Sequence, residues 1–341
     1  METITDFAKQ LQSFFTDYMA TERGASPHTI RSYRDVFVLL LEYMDKKCNV
    51  PANKLKLENL TKETVLGFLN WLQDIRKCSI KTRNQRFAAL RSFFDYLQYE
   101  DPARMSQWQS VRSIRMKKDI KSQVSYLTVE GVKCLLEQVP TNSRNGRREL
   151  AILSLLYSSG ARVQELIDLM PSSIRTFKPY IIELCGKGRK KRLVPLDEKI
   201  ISLIQIYLKE HGLDKAGMDK HPLFYNSWGE KLTNPGITYI LLKYAAMART
   251  VNPDLIPEKI SPHTLRHSRA MHLLQSGVNL VYIRDILGHV SIQTTEIYAR
   301  ADSKLKREAL EKAYTDIGIE KSAECSWEKD PKLKVFLKSL A

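Results

Sequence analysis

The spacing of apolar residues in the first hundred positions restricts the possible folds of this chain more than any other feature of its sequence. After Ser26-Pro27, a capping residue followed by a proline suited to a first helical turn, apolar residues recur every three or four positions. Similar stripes follow Thr61 and Ser79. A period of this length is typical of amphipathic helices that pack against one another. The sequence therefore predicts a small helical domain in its N-terminal part.

The rest of the chain combines helical patterns with two short runs of β-type residues. The helical patterns begin at Thr128 and recur at 150–157, at 197–210, at 234–247 and from Ser261 onwards. The β-type runs are 180–184 and 192–196, and a turn containing Gly186 and Gly188 separates them. Two such runs joined by a glycine-bearing turn predict a β-hairpin. The expected fold class is mainly α with a small β-hairpin or sheet.

Changes in the apolar pattern divide the chain into four segments. Between about 101 and 126 the apolar period fades while arginine and lysine accumulate, as expected of an interdomain linker. The last residues form an amphipathic pattern that is too short to be stable as an isolated helix. The expected segments are a helical domain at 1–105, a basic linker at 106–126, a second domain at 127–325 and a C-terminal helix or tail at 326–341.

The net charge of the chain and the length of its apolar runs indicate which partners and which location to expect. Lysine and arginine number 54 against 38 aspartate and glutamate residues, which gives a formal net charge of +16 at pH 7. Because both parts of the chain share this excess, it favours a polyanionic partner that both domains contact, and nucleic acid is the most common such partner. The longest apolar run, 36–41, is far shorter than the roughly 20 residues of a membrane span. No membrane partner and a cytoplasmic location are therefore expected.

Six residues in the second domain carry the chemistry. They are two arginines, a lysine, two histidines and a tyrosine: Arg162, Lys187, His263, Arg266, His289 and Tyr298. Guanidinium groups bind phosphate oxygens, lysine and histidine donate or carry protons, and a tyrosine hydroxyl acts as a nucleophile, so the set indicates phosphoryl transfer. No metal is expected, because His263 and His267 lack the glutamate of an H-E-x-x-H motif and the five cysteines form no CxxC pair.

The order and surroundings of these residues resemble the tyrosine recombinases of the bacterial Xer and integrase kind. That family has the pattern Arg, Lys, His-x-x-Arg, His and Tyr, which the six residues match in the same order. The segments Gly-Ala-Arg-Val-Gln-Glu-Leu, His-Thr-Leu-Arg-His and Leu-Gly-His also resemble family sequences. The resemblance spans about residues 5–310. It implies a SAM-like core-binding domain in the N-terminal part, followed by an α+β catalytic domain.

The resemblance also implies a reaction. The tyrosine would attack a DNA phosphate, giving a 3′-phosphotyrosyl link and a free 5′-hydroxyl without a nucleotide cofactor. The implied roles are nucleophile for Tyr298, phosphate binding for Arg162, Arg266 and His289, general acid for Lys187 and proton acceptor for His263. Glu165, one turn after Arg162, is expected either to orient neighbouring groups or to be an ordinary surface carboxylate.

The implied substrate is double-stranded DNA at a specific recombination site. It would be bound by a tetramer of this chain on two duplexes, or by this chain together with a related recombinase. Basic side chains beside the hairpin are expected to bind the DNA backbone: Arg189, Lys190, Lys191 and Arg192. Arg83 and Arg86 are candidates for reading bases. The tail at 326–341 is expected to dock on a neighbouring protomer, or else on its own domain, and the enzyme to be associated with the nucleoid.

Other functions fit the same residues. Within the recombinases, insertion and excision of a mobile element is favoured by the long segment after Tyr298, and resolution of chromosome dimers is the alternative. A type IB topoisomerase uses a similar set of groups, and the helical N-terminal domain argues against it. A catalytically silent DNA-binding protein would share the charge and the fold, and the presence of all six residue types argues against it.

Overall fold

The structure, a computed structural model, comprises two compact units, Met1–Ser122 and Gln123–Ala341. It describes residues 4–119, 124–186, 188, 190–301, 335 and 339. The predicted tail at 326–341 therefore lies outside the described residues, apart from positions 335 and 339. Within the described ranges, every helix is too short or too polar to cross a membrane.

Local capping fixes where the helices of the N-terminal unit begin. Ser26, Thr61 and Ser79 each accept a hydrogen bond from the backbone amide three residues further along. This bond satisfies an amide that the helix leaves unpaired, and the predicted helix starts are confirmed. The helices are α1 (Asp6–Ser13), a π-helical continuation (Phe14–Glu22), α2 (Pro27–Cys48), α3 (Lys62–Asp74), α4 (Ile80–Glu100) and α5 (Met105–Arg112).

Helix α5 belongs to the core of this unit and corrects the predicted linker. Trp108 is fully buried and donates its indole N–H to the carbonyl of Asp101 at 2.9 Å. Further along, the side-chain amide of Asn84 on α4 binds both the N–H and the carbonyl of Lys117. The segment predicted as a linker at 106–126 is thus docked on the N-terminal unit as far as Lys117. Its apolar residues Trp108, Val111 and Ile114 are buried.

The C-terminal unit joins helices to a small antiparallel sheet. Its elements are α6 (Val129–Glu137), α7 (Arg144–Ser159), α8 (Val163–Ile167), β1 (Ile174–Arg175), β2 (Ile181–Cys185), β3 (Lys191–Pro195), α9 (Glu198–His211), α10 (Asn234–Val251), α11 (Pro262–Gln275), α12 (Leu280–Leu287) and α13 (Glu296–Ala301). The strand order is β1-β2-β3, with Ile182 of β2 opposite Val194 of β3. The predicted hairpin is confirmed, and β1 is too short to leave a periodic pattern. The fold is mainly α with a small sheet, as expected.

Helix α7 positions one edge of the site. It packs against both α9 and α11, and its residues from 151 to 156 are buried. The helix ends at Gly160, whose φ of +60° lies in the left-handed region. A Cβ at this position would lie 3.0 Å from the side chain of Leu287, so glycine suits both the turn and the close approach of α12. The turn places Arg162 at the N-cap of α8.

Candidate active site

A buried carboxylate, Glu165, orients the arginines of the site. Its side chain is 4% exposed, and it accepts hydrogen bonds from the Arg162 guanidinium at 2.7 Å and the Arg162 amide at 2.8 Å. Arg192 binds both carboxylate oxygens, at 2.9 and 2.6 Å. Burial raises the pKa of Glu165, but the hydrogen bonds from Arg192 and Arg162 outweigh burial and hold this pKa at about 2. Glu165 is therefore an ionised orienting group and not an ordinary surface carboxylate.

The C-terminal end of α12 binds three arginines on three successive carbonyl groups. The contacts run from Arg192 Nε to Ile286 at 2.8 Å, from Arg266 Nη2 to Leu287 at 2.6 Å and from Arg162 Nη2 to Gly288 at 3.2 Å. The last carbonyls of a helix lack partners within it and carry the negative end of its dipole, so guanidinium groups stabilise them. Two predicted arginines from distant parts of the sequence thus meet directly before His289.

Arg266 is the most deeply buried of these cations. It is 3% exposed, and its Nη1 donates to the carbonyl of Gly160 at 2.6 Å. Burial, together with the positive charge of Arg162, lowers the pKa of Arg266 to about 10. Its guanidinium is therefore still charged at neutral pH, and its plane is fixed by carbonyls on two elements.

The hydroxyl of Tyr298 lies 2.9 Å from Nδ1 of His267. The tyrosine is 1% exposed and packs in a small core with Met271 and Leu287. Burial raises the pKa of Tyr298, and the charge of Arg266 opposes this only in part, so the phenol is protonated at neutral pH. The sequence predicts His263 as the partner of this hydroxyl, but the structure places His267, one turn further along α11, in that position.

His289 lies beside the tyrosine ring. Its Nδ1 is 2.9 Å from the hydroxyl of Thr295, and its ring is nearly parallel to that of Tyr298, at 12° and 6.5 Å between centroids. Burial, followed by the charges of Arg266 and Arg162, lowers the pKa of His289 to about 4. Desolvation and the same two arginines also lower the pKa of His263. Both imidazoles are therefore mainly neutral at pH 7.

The free energy of unfolding is expected to fall between pH 7 and pH 5 because of His267. Burial, with His263 and Arg266 nearby, lowers the pKa of His267 from 6.5 to about 4, so the unfolded state binds the proton more readily. A depressed histidine pKa contributes stability that is present above pH 6.5 and lost as the pH falls towards 4, about 2 kcal/mol of it by pH 5. Urea unfolding of His267→Gln should therefore depend less on pH by about this amount. Equal pH dependence in both proteins would contradict a desolvated, neutral His267.

The basic residues predicted beside the hairpin have different fates. Lys187 and Arg189 lie outside the described residues, so their predicted roles remain predictions. Lys190 and Lys191 are exposed. Both line an open cavity of about 620 Å³ that Arg162 also lines. Their contact with a DNA backbone stays a prediction.

Two of the predicted DNA-binding arginines, Arg83 and Arg192, have little exposed surface, although Arg192 also lines the open cavity, and their contact with DNA stays a prediction. Arg192 is 11% exposed and is held by Glu165. It points to the same face of β3 as the buried Val194, two residues further on, as the strand period requires. Arg83 is 2% exposed and lies four residues before the buried Phe87 on the apolar stripe of α4. Burial lowers the pKa of Arg83, and its guanidinium is not presented at the surface.

Arg86 is half-buried on α4. With His28, Arg31 and Gln85 it lines a groove of about 350 Å³ in the first turns of α2 and α4. Its Nη1 donates to the sulfur of Cys78 at 2.9 Å. His28 and Arg31, which line the same groove, are not among the DNA-binding residues predicted from the sequence.

The fold and the family comparisons together define a DNA-strand-transferring enzyme. The chain belongs to the phage integrase family, as a tyrosine recombinase: residues 125–305 match the phage integrase family model. Residues 11–101 match the N-terminal SAM-like domain of phage integrases. The predicted resemblance and the SAM-like and catalytic domain types are confirmed.

Individual relatives cover nearly the whole chain. The y4rC protein of Sinorhizobium fredii, which is named as an integrase/recombinase, is 34% identical over 98% of each chain. The tyrosine recombinase XerC of Thermodesulfovibrio yellowstonii is 32% identical, over 88% of this chain and 94% of that protein.

Two solved structures share the fold. The XerH site-specific recombinase bound to its difH substrate has a TM-score of 0.64 and 24% identity, over 89% of this chain and 86% of that one. The Tn1549 transposon integrase in complex with transposon right-end DNA has a TM-score of 0.67 and 17% identity, over 88% and 98%. At these identities the likeness concerns the fold alone.

Proposed function

We propose that this chain recombines DNA at a specific site through a 3′-phosphotyrosyl intermediate on Tyr298. The observation that carries the proposal is the tyrosine hydroxyl held 2.9 Å from the imidazole of His267, in a site where Arg162 and Arg266 bind neighbouring carbonyls of α12. Attack by the phenol oxygen on phosphorus forms the phosphotyrosyl bond and expels the 5′-oxygen. The energy of the broken bond is kept in the new one, so the reaction needs no cofactor.

Arg162 and Arg266 are proposed to bind the non-bridging oxygens of the scissile phosphate. Negative charge grows on these oxygens in the transition state, and fixed cationic donors stabilise it without reorganisation. Glu165 and the α12 carbonyls supply that fixed arrangement. Loss of one such donor typically costs about 3 kcal/mol, or about a hundredfold in rate.

His267 is proposed to accept the proton of Tyr298, in place of the predicted His263. In the neutral tautomer that carries its proton on Nε2, the Nδ1 atom of His267 accepts the hydrogen bond from the phenol. A pKa of about 4 makes His267 a weak base in the free protein. Burial and, after it, the charges of neighbouring groups lower this pKa. A bound phosphate anion opposes those charges, so we propose that DNA itself strengthens the base.

Lys187 is proposed as the acid that protonates the departing 5′-oxygen. It lies in the chain between β2 and β3, whose last paired residues are Cys185 and Lys191. A hairpin that projects into a DNA groove presents such a lysine to the backbone. His263 and His289, neutral at pH 7, are proposed as further hydrogen-bond donors to the phosphate.

The proposed substrate is double-stranded DNA. In support, the Tn1549 integrase structure contains transposon right-end DNA, and the XerH structure contains its difH substrate. The exposed Lys190 and Lys191 are proposed to bind the DNA backbone. Arg86, which lines the groove on α2 and α4, is proposed to contact bases of the recombination site. Because DNA is the substrate, we propose that the enzyme acts at the nucleoid in the cytoplasm.

Lys190→Gln is expected to weaken DNA binding equally for all sequences. One lost phosphate contact lowers the slope of log K against log salt by about one unit. Affinity for the target duplex and for a random duplex, measured across a salt series, checks this. A slope equal to that of the wild type would show that Lys190 does not neutralise a phosphate.

The proposed assembly is a tetramer on two duplexes. Exchange of two duplexes requires four strand breaks, and each site has one tyrosine nucleophile. The segment 326–341 is proposed to dock on a neighbouring protomer. Removal of residues 327–341 should leave strand cleavage intact and reduce the yield of synaptic complexes; unchanged complexes and full recombination would refute the docking.

Movement of a mobile element is the proposed biological role, with resolution of chromosome dimers as the alternative. The match to y4rC, named as an integrase/recombinase, over 98% of both chains supports the first, and the match to XerC supports the second. Sequencing of host DNA should find circular element junctions that disappear in the Tyr298→Phe strain. Chromosome dimers that accumulate in that strain, without such junctions, would favour the alternative.

Covalent capture tests the proposed reaction. A wild-type protein mixed with random DNA fragments nicked at many positions should form SDS-resistant adducts at one preferred sequence, because the freed fragment diffuses away and religation is lost. Mapping those adducts yields the target duplex. Absence of any adduct would refute the phosphotyrosyl mechanism.

A further inference from the structure

We propose that Arg192 is a positioning residue for strand cleavage, and not a contact to DNA. Its guanidinium binds both the carboxylate of Glu165, which orients Arg162, and the C-terminal end of α12, which precedes His289. The proposal rests on the proposed function, because it assigns Arg192 a role through residues proposed to act on the phosphate.

All three nitrogen atoms of the Arg192 guanidinium are engaged within the protein. Nη1 and Nη2 bind the two oxygens of Glu165 at 2.9 and 2.6 Å, and Nε binds the carbonyl of Ile286 at 2.8 Å. A paired fork of this kind fixes the plane of both groups. With 11% of its side chain exposed, Arg192 has little surface left for a DNA phosphate.

The contacts to Glu165 control the orientation of Arg162. Each carboxylate oxygen of Glu165 accepts one hydrogen bond from the guanidinium of Arg192. In addition, Oε1 accepts one from the guanidinium of Arg162, and Oε2 accepts one from the backbone amide of Arg162. Arg192 thus holds the carboxylate in the plane that Arg162 requires. Its hydrogen bonds also make the largest contribution among those that lower the pKa of Glu165.

The contact to Ile286 reaches the other half of the site. Leu287 and Gly288, the next two residues, supply the carbonyls that bind Arg266 and Arg162. A Cβ at Gly288 would lie only 2.9 Å from Nη1 of Arg192, so the side chain is packed directly against the turn before His289. Arg192 therefore fixes the α12 end relative to Glu165.

Lysine cannot replace these contacts, although it keeps the charge. A single ammonium group does not match the two oxygens of a carboxylate and a separate carbonyl in one plane. Loss of the fork should let Glu165 and the α12 end shift, and a misplacement of about 1 Å in an active site can cost about a hundredfold in rate. The change should therefore affect the cleavage rate and not the affinity.

The test compares Arg192→Lys with Arg147→Lys on the captured target duplex. Arg147 is a matched control, because it also binds a carboxylate, Glu210, and a carbonyl, that of Thr141, in the same unit. Arg192→Lys should bind DNA like the wild type and cleave it about 10- to 100-fold more slowly. Because the pKa of Glu165 rises in this variant, its cleavage activity should also begin to fall at a higher pH than that of the wild type when the solution is acidified. Arg147→Lys should cleave like the wild type.

Two outcomes would overturn the proposal. Cleavage by Arg192→Lys at the wild-type rate would show that the fork is not needed, and a loss confined to affinity would restore Arg192 as a DNA contact. If circular dichroism shows that Arg192→Lys is unfolded, the cleavage rate of Arg192→Ala is measured with and without added guanidinium. Recovery of the rate by guanidinium supports the positioning role of Arg192, and no recovery refutes it. Failure of wild-type adduct formation would instead refute the proposed function.

Discussion

Replacing Arg266 with lysine is expected to slow strand cleavage by about 10²- to 10³-fold while the net charge of the site is unchanged. The guanidinium of Arg266 binds the carbonyls of Gly160 and Leu287, each at 2.6 Å, so its plane is fixed before DNA arrives. A lysine ammonium cannot bind both carbonyls and also a phosphate oxygen in that plane. The transition state then loses a preorganised donor where negative charge develops.

Single-turnover cleavage of a nicked target duplex at saturating protein measures this effect. The matched control is Arg249→Lys, because Arg249 also binds two carbonyls, those of Pro257 and Glu258, in the same unit. Thermal unfolding of both variants separates lost stability from lost chemistry. Equal cleavage rates for the Arg266 and Arg249 variants would contradict the role of Arg266 at the phosphate.

Local signals predicted most of the fold. The caps at Ser26, Thr61 and Ser79 depend on a side chain and an amide three residues away, so they are visible in a few letters of sequence. The hairpin depends on alternating residues around a turn. The fading apolar period and the basic residues predict a linker at 106–126, whereas Trp108 and Val111 have the spacing of a buried helical stripe and lie on α5.

The spacing of basic residues from apolar ones indicates which basic side chains are buried. Arg83 precedes the buried Phe87 by four positions in a helix, and Arg192 precedes the buried Val194 by two in a strand. Both spacings place the arginine on the inward face. Charge alone suggested a DNA contact, whereas position in the repeat indicated burial.

The contact between His267 and Tyr298 cannot be predicted from the sequence. The two residues are 31 positions apart and lie on α11 and α13, whose relative placement depends on tertiary packing. The same is true of the three arginines on the end of α12. Residue types and order predict which groups belong to the site, but only the fold determines which group contacts which.

Tyr298→Phe is expected to abolish covalent attachment to DNA and leave the fold intact. The substitution removes one oxygen atom, and the buried ring keeps its packing against Met271 and Leu287. The hydrogen bond to His267 is lost, at a cost of about 1 kcal/mol. DNA affinity should be unchanged, because the phenol is proposed to act only on the scissile phosphate.

The control for this variant is Tyr282→Phe. Tyr282 lies on α12, is largely exposed and is close in sequence to the site, so it is the alternative nucleophile among the described tyrosines nearby. Tyr282→Phe should form adducts at the wild-type rate. Tyr314, a further tyrosine in this part of the chain, lies outside the described residues and is distinguished by peptide mapping.

The most direct measurement is the identity of the residue bound to DNA. Wild-type protein and Tyr298→Phe are each incubated with the nicked target duplex, the SDS-resistant adduct is digested with protease, and the peptide joined to DNA is identified by mass spectrometry. We predict a wild-type adduct on the peptide that contains Tyr298 and none from the variant. An adduct from Tyr298→Phe, or a wild-type adduct on the peptide of Tyr282 or Tyr314, would contradict the assignment and the arrangement of Arg266 and His289 around the phosphate.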